Sequence, residues 1–306
     1  MNILLTGGYG FFGSHFYDLY KDELNIFRFR KEEYNLEHLN ETENLFAAAR
    51  NYFNNETFSV IHLAGWNGGI EWNKLYPAQI YQSNVTMGNN VFRMCSTYKV
   101  DKLVSCLASC AFPVRDREIK AFEILYKEPH ESVMCHGYAK RHLELLTRMY
   151  SHQYYLNAVT FCPPTLFGPG DKTDVKRCKF LPAVIIKMLS NPNEVTFMGD
   201  GSAYREVLYV KEACVQLKKC LDEQPSCGLR NVPFICEGVN KRIKGFVEDV
   251  ARILDYKGEI KWTGEIVDNG QNYKSFSKPW NFKWNLSWFE NGLLDTIEWY
   301  KQSLGV

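Results

Sequence analysis

Short apolar runs alternate with longer amphipathic stretches through the first half of the chain: NILLTG from residue 2, NIFRFR from 25, SVIHLAG from 59, KLVSCLAS from 102 and NAVTFCPP from 157. Runs of this length, bounded by Gly, Ser or Pro, predict buried strands, and the amphipathic intervals are long enough for helices. Such alternation implies parallel βαβ units and an α/β fold with a doubly wound sheet. After Pro164 the rhythm changes. GPGD, a polar loop to Arg177, a helix over 181–190 and the turn MGDGSAYRE mark the entry into a smaller region. Two more amphipathic helices, over 246–254 and 288–302, flank the aromatic-rich NYKSFSKPWNFKWNLSW. No repeat or low-complexity linker intervenes, so residues 1–165 and 166–306 are expected to pack as one body, with some late elements returning to the first part.

Composition removes several classes of function. The 306 residues are 45% hydrophobic and 23% charged, with a formal charge of +1, which is ordinary for a globular chain and offers no global field for nucleic acid or an anionic membrane. MNILLTGG lacks a basic leader and reads as a strand, and no apolar run approaches the ~20 residues that span a bilayer. The ten cysteines are scattered without a CxxC pair, which suits reduced thiols in a cytoplasmic compartment and offers no metal site.

GGYGFFG follows the first strand and opens a helix. In that context Gly7 takes a tight turn, Gly10 admits a pyrophosphate to the backbone, and Gly13 lets helix and strand close up, which is the arrangement of a dinucleotide-binding Rossmann unit. The second strand ends in FRFRKEE. Arg28, Arg30 and Lys31 stand where an acidic residue would hold the ribose of NAD, so NADP(H) is the expected cofactor; Glu32 or Glu33 reaching the ribose is the alternative.

The glycine loop, HLAGWNGGIEWN, SCLASCAFP, GYAK, LFGPGD, FLPA and MGDGSAYREVLYV occur in one order. Together they resemble the extended short-chain dehydrogenase/reductases, most closely the GDP-L-fucose synthases. The resemblance implies a Rossmann domain over 1–165, a mainly substrate-binding region over 166–306, a GDP-linked 4-keto-6-deoxy sugar as substrate, and a homodimer built through residues 84–98 and 136–154. It also implies epimerisation at C3 and C5 followed by NADPH-dependent reduction at C4. Lys140 falls on the family lysine and Cys110 on its epimerisation cysteine. Ala64 and Pro163 fall among cofactor-binding positions, and Thr165, Lys179, Lys187 and Arg205 among substrate-binding ones. Four positions depart from the pattern: His136 replaces the tyrosine, Ala108 the serine, Lys179 the second epimerisation residue, and Thr165 an asparagine.

Each candidate has a second reading. His136 is either a proton donor or a space-filler, and Lys140 beside it disfavours its charged form. Cys110 is a reactive thiolate or an inert buried thiol. Lys179 is an acid–base group or, preferably, a phosphate contact, and Arg205 a diphosphate clamp or a loop charge. The basic cluster VKRCK with Lys187 is compatible with the same diphosphate. Tyr138 points to another helix face, Ser109 to the other side of an extended strand, and Trp280, Phe282 and Trp284 are expected in the core. Two functions follow: an NADP(H)-dependent nucleotide-sugar epimerase/reductase, or a non-catalytic nucleotide-binding protein of the same fold.

Overall fold

Ile3, Leu4, Leu5, Val60, Ile61, Leu103 and Val104 are wholly buried, as continuous apolar strands must be when helices cover both faces of a parallel sheet. The computed structural model describes residues 1–68, 70–115, 117–175, 178–223, 228–264, 276 and 287–306. The first part runs β1 (Asn2–Thr6), α1 (Phe11–Tyr20), β2 (Asn25–Arg28), α2 (Leu39–Tyr52), β3 (Ser59–His62), α3 (Ile70–Leu75), α4 (Pro77–Tyr98), β4 (Leu103–Cys106), α5 (Met134–Gln153) and β5 (Ala158–Cys162). The second runs β6 (Thr165–Phe167), α6 (Phe180–Ser190), β7 (Glu194–Phe197), β8 (Tyr204–Tyr209), α7 (Val210–Glu223), β9 (Phe234–Ile235), β10 (Val239–Arg242), α8 (Ile243–Leu254), β11 (Glu259–Trp262) and α9 (Trp288–Leu304).

The main sheet is parallel throughout, in the order β2-β1-β3-β4-β5-β9. The chain steps outward from β1 to β2 and then crosses back to β3, so the carboxyl ends of β1 and β3 flank a topological switch point, where such sheets bind ligands. Helices α2, α4 and α5 cover one face around Phe46, Phe92 and Leu143, while α1 and α7 cover the other around Phe16 and Leu217. Gly88 lets α4 and α5 close on each other, since a Cβ there would lie 2.7 Å from Leu143 Cδ2.

The later elements form a sheet β10-β8-β6 and a pair β11-β7, packed with α6, α8 and α9 on a core around Leu181, Phe246 and Leu293. Two of them return to the first part. β9 pairs beside β5, and Lys102, buried before β4, donates to the carbonyls of Cys220 (2.9 Å) and Leu221 (2.6 Å) in the last turn of α7. Phe276 also reaches back, meeting Phe112 edge-to-face at 4.8 Å while its N–H donates to Glu206 (3.2 Å).

Strand positions agree with the apolar pattern to within a few residues, with one consequential difference. β4 ends at Cys106, and Ser109–Ala111 form a 3-10 turn, so Ser109 is not in the extended strand that its side-chain direction was expected from. Trp280, Phe282, Trp284 and Arg177 lie outside the described residues. Among the described residues no helix is long and apolar enough to cross a membrane, and no cluster could hold a metal ion.

Candidate active site

The glycine loop closes on the switch point. Gly7 has φ of 68°, and a Cβ on it would lie 2.7 Å from the backbone N of Ala64 beyond β3. A Cβ on Gly13 would run into the Gly7 carbonyl, and the Gly10 N–H donates to that same oxygen at 3.0 Å. Gly10 opens α1 with extended backbone and no side-chain cap, so the helix N-terminus faces the loop. A cavity of about 540 Å³ begins here, with Gly7, Gly10, Arg30, Ala64 and Gly65 in its wall. Its size, backbone donors and missing Cβ atoms fit a dinucleotide.

Of the cations at the end of β2 and just after it, Arg30 and Lys31 reach this cavity while Arg28 is held at the glycine loop, donating to the Gly8 carbonyl (3.3 Å). Glu33 is turned onto the Arg30 backbone N–H at 2.7 Å, while Glu32 lines the cavity.

Behind Gly65 stands Lys140, only 6% exposed. Its Nζ donates to the Cys106 carbonyl at 2.8 Å and lies 3.5 Å from where a Gly65 Cβ would be. Burial lowers its pKa, and the neighbouring thiols of Cys106, Cys110 and Cys162 act the other way. His136, one turn earlier on α5, is pushed down to about 3, first by burial and then by the charges of Lys140 and Lys179. Its Nδ1 is buried with no hydrogen-bond partner among the described residues. The sequence reading of a disfavoured imidazolium is thus extended: at neutral pH the ring carries no charge.

Cys110 sits on the 3-10 turn after β4, partly exposed. Gly137 is what lets α5 approach this turn, because a Cβ there would lie 2.6 Å from the Cys110 carbonyl. Arg141 fixes the same turn, donating to the carbonyls of Ala111 (2.5 Å) and Lys127. Ala108 precedes it with extended backbone and no hydroxyl. Tyr138 turns to Glu128.

The candidates of the second region do not line the glycine-loop cavity. Pro163 is buried between β5 and β6, and Thr165 opens β6 beside Val207 of β8. Arg205 on β8 is half-buried, with its pKa pushed down to about 10 by burial, and donates to the Tyr204 carbonyl at 2.7 Å. Lys179 is exposed at the start of α6, yet its charge bears on Cys106 and His136. Lys187 is drawn elsewhere, to the Thr196 carbonyl (3.2 Å) and the Phe197 ring (5.4 Å).

Sequence reasoning missed a polar row across the sheet. Thr6, His62, Ser105 and Thr160 are register partners on neighbouring strands, all buried. Thr6 Oγ1 is 2.8 Å from His62 Nδ1, and Thr160 donates to buried Glu144 at 2.5 Å. His62 is pushed to about 3 by burial and by Lys140. The signal was present in NILLT, SVIH, LVS and AVT, each apolar run ending in a polar residue.

A switch-point cavity, a glycine cradle at a helix N-terminus and a buried lysine one strand away define an extended Rossmann chain of the short-chain dehydrogenase type. Residues 3–228 match the NAD dependent epimerase/dehydratase family, and the chain belongs to it. A GDP-L-fucose synthase of Dictyostelium discoideum is 29% identical over 75% of this chain and 73% of its own length. A protein described as putative GDP-L-fucose synthase 2 of Arabidopsis thaliana is 26% identical over 99% and 92%. Among solved structures, a GDP-L-fucose synthetase from Naegleria fowleri shares the fold with a TM-score of 0.85 at 24% identity, covering 99% of this chain and 94% of that one. A GDP-6-OMe-4-keto-L-xylo-heptose reductase from Campylobacter jejuni does so with a TM-score of 0.85 at 18% identity, covering 98% and 97%.

Proposed function

We propose that this chain binds NADP(H) and acts on a GDP-linked 4-keto-6-deoxy sugar or close relative, as an epimerase/reductase whose proton relay has been rebuilt. The observation that carries this reading is the position of Lys140: its ammonium stands against Gly65, and Gly65 lines the cavity that starts at the glycine loop. The named relatives, GDP-L-fucose synthases, supply the substrate class. Gly7, Gly10, Gly13 and Ala64 would hold the dinucleotide's pyrophosphate, Arg28 and Arg30 its 2′-phosphate, and Lys140 and Pro163 its nicotinamide end. When bound, the cofactor supplies the redox chemistry at the sugar C4.

The chain's own groups do the rest. Arg205, with Lys179, holds the sugar diphosphate by charge-assisted hydrogen bonds, and Thr165 opens β6 beside β8, which carries Arg205. Lys187, engaged by β7, has a lesser part. The Lys140 ammonium stabilises negative charge developing on the ketone oxygen. Cys110 acts as base toward C–H bonds made acidic by the neighbouring ketone. His136 is neutral and shapes the pocket. The reading includes a cytoplasmic homodimer joined through α4 and α5, where Leu145 and Met149 on α5 are 38% and 51% exposed and one turn apart.

The test is a thermal-shift panel of GDP, UDP, CDP and dTDP sugars on the NADPH-loaded protein, since ligands of the folded state raise its melting temperature. GDP sugars are expected to raise it, and Arg205→Met to abolish the rise; no response to any of them would overturn the substrate class. Deuterium entering bound GDP-4-keto-6-deoxymannose from solvent, lost in Cys110→Ser, is the expected sign of epimerisation. A second reading, binding without turnover, is favoured by the neutral, unpartnered His136 and the missing hydroxyl at Ala108. Bound keto sugar that neither exchanges deuterium nor consumes NADPH would select it.

A further inference from the structure

Tyr9, between Gly8 and Gly10 of the glycine loop, carries two cations on one ring. The Arg28 guanidinium carbon lies 4.3 Å from the Tyr9 centroid and the Arg30 guanidinium carbon 4.2 Å from it, and Arg28 also sits 3.4 Å from the centroid of Tyr17 on α1. The order is therefore Tyr17, Arg28, Tyr9, Arg30, a ladder running from the first turns of α1 to the mouth of the cavity. Both Tyr9 and Arg30 line that cavity, and the Tyr9 ring is nearly half exposed at 45%.

Two like charges on one ring stand closer than the screening length of about 10 Å at 0.1 M salt, so they repel unless something compensates. The ring's negative face compensates in part. Of the nearby carboxylates, Glu33 and Glu37 are committed elsewhere, and Glu32, in the wall of the same cavity, makes no ion pair with either guanidinium among the described residues. Glu33 accepts the Arg30 backbone N–H at 2.7 Å, and Glu37 takes Lys31 at 3.4 Å and the Ser83 hydroxyl at 2.9 Å. No ion pair reaches either guanidinium among the described residues. Stacking occupies the faces of a guanidinium and leaves its in-plane N–H edges for an acceptor. Arg28 gives one such N–H to the Gly8 carbonyl, which pins it to the loop, and its remaining donors and those of Arg30 are available to an anion with several oxygens.

We infer that Tyr9 is a specificity-determining residue of the cofactor site: its ring holds both the Arg28 and the Arg30 guanidinium in place as a clamp for a phosphate monoester on the adenosine ribose. This deepens the NADP(H) reading and rests on it, but not on the sugar chemistry. The clamp recognises the dianion that distinguishes NADPH from NADH, and the ring acts by placing the cations.

The test is calorimetric titration of the full chain with NADPH, NADH, 2′,5′-ADP and 5′-AMP, for wild type, Tyr9→Phe and Tyr9→Leu. Wild type is expected to prefer the 2′-phosphorylated member of each pair, and Tyr9→Phe, which keeps the ring face, to retain that preference. Tyr9→Leu is expected to lose about tenfold in affinity for NADPH and 2′,5′-ADP, the scale of one or two ring–cation attractions, with NADH and 5′-AMP nearly unchanged. Tyr9→Gln repeats the measurement with different packing should the leucine variant fold poorly. Equal losses for both members of each pair would overturn the inference, showing that the ring merely lines the adenosine site, as would undiminished preference in both variants. Wild type binding none of the four would overturn the cofactor reading itself, whereas failure of every GDP sugar would leave this result standing.

Discussion

His136 lies one helical turn before Lys140 on α5, and the two are buried together, at 4% and 6% exposed. Burial lowers the lysine's pKa against the opposing pull of the surrounding thiols, and its Nζ donates to the Cys106 carbonyl; the histidine, with Nδ1 unpartnered, is pushed down to about 3. A phenol at that position would be drawn toward ionisation by the lysine, whereas an imidazole is pushed toward neutrality. The same neighbour therefore has opposite effects on the two side chains. By nitrogen-resolved NMR, the His136 ring should stay neutral from pH 8 down to pH 5, and any ketone reduction should lack an acid limb near pH 6.5. A ring titrating between pH 6 and 7 would sink this account.

The buried histidines also set a pH dependence of stability. His62 and His136 are both held at about 3 in the folded chain, mainly by burial, below the ~6.5 of an exposed imidazole. The unfolded chain thus binds more protons between these values, so the contribution is complete above pH 6.5 and is lost as pH falls toward 3. Between pH 6.5 and 4.5, before the carboxylates enter, unfolding free energy should drop on the order of 2–3 kcal/mol per pH unit, each ring contributing up to ~1.4. Urea melts across that range check it. His62→Gln or His136→Gln should flatten the slope, and a flat wild-type curve would contradict the burial of both rings.

The parts legible in the sequence were those where one residue type answers one local demand. Gly7 is required by a backbone nitrogen and Gly13 by a carbonyl that a Cβ would strike, and Lys140 was marked by the resemblance of GYAK to the family motif. Apolar runs located the strands because a parallel sheet buried on both faces tolerates little else. What stayed hidden needed two segments distant along the chain to be placed together. Nothing in FRFR tells that Arg28 and Arg30 share the Tyr9 ring. The Thr6–His62–Ser105–Thr160 row exists only through strand register. Ser109 was misplaced because the chain leaves β4 three residues earlier than the apolar pattern suggests, turning at Ser109–Ala111 where Arg141 reaches across from α5.

Lys102 ties the start of β4 to the end of α7. Its ammonium, 7% exposed, is spent on two carbonyls of the last turn of α7, where positive charge is favoured by the helix dipole. Lys102→Met keeps the apolar stem and removes the donor, leaving both carbonyls buried without it. The expected cost is about 1.5–3 kcal/mol, the scale of a charged hydrogen bond, visible as a lower midpoint in chemical unfolding with cofactor affinity retained. An unchanged midpoint would mean that the α7 carbonyls find other donors.

Restoring the family's residues at the two altered positions distinguishes a rebuilt proton relay from an abandoned one. Ala108 has extended backbone and is partly exposed just before the Cys110 turn, so Ala108→Ser adds a hydroxyl at little steric cost. His136→Tyr is more demanding, because a larger ring must enter a site that is 4% exposed, and overpacking of that kind costs about 1–3 kcal/mol. Against this, it removes an unpartnered buried nitrogen, which relieves a penalty of similar size. The double variant should therefore fold with a melting temperature close to that of wild type. With GDP-4-keto-6-deoxymannose it should oxidise NADPH on the order of 10²-fold faster than wild type, the usual scale of a general acid, and the gain should vanish in a triple variant carrying Lys140→Met. A wild type already as fast as the double variant, with His136→Ala slow, would show that the neutral imidazole does the phenol's work. A folded, sugar-bound double variant no faster than wild type would place the defect in how the second region presents the ketone.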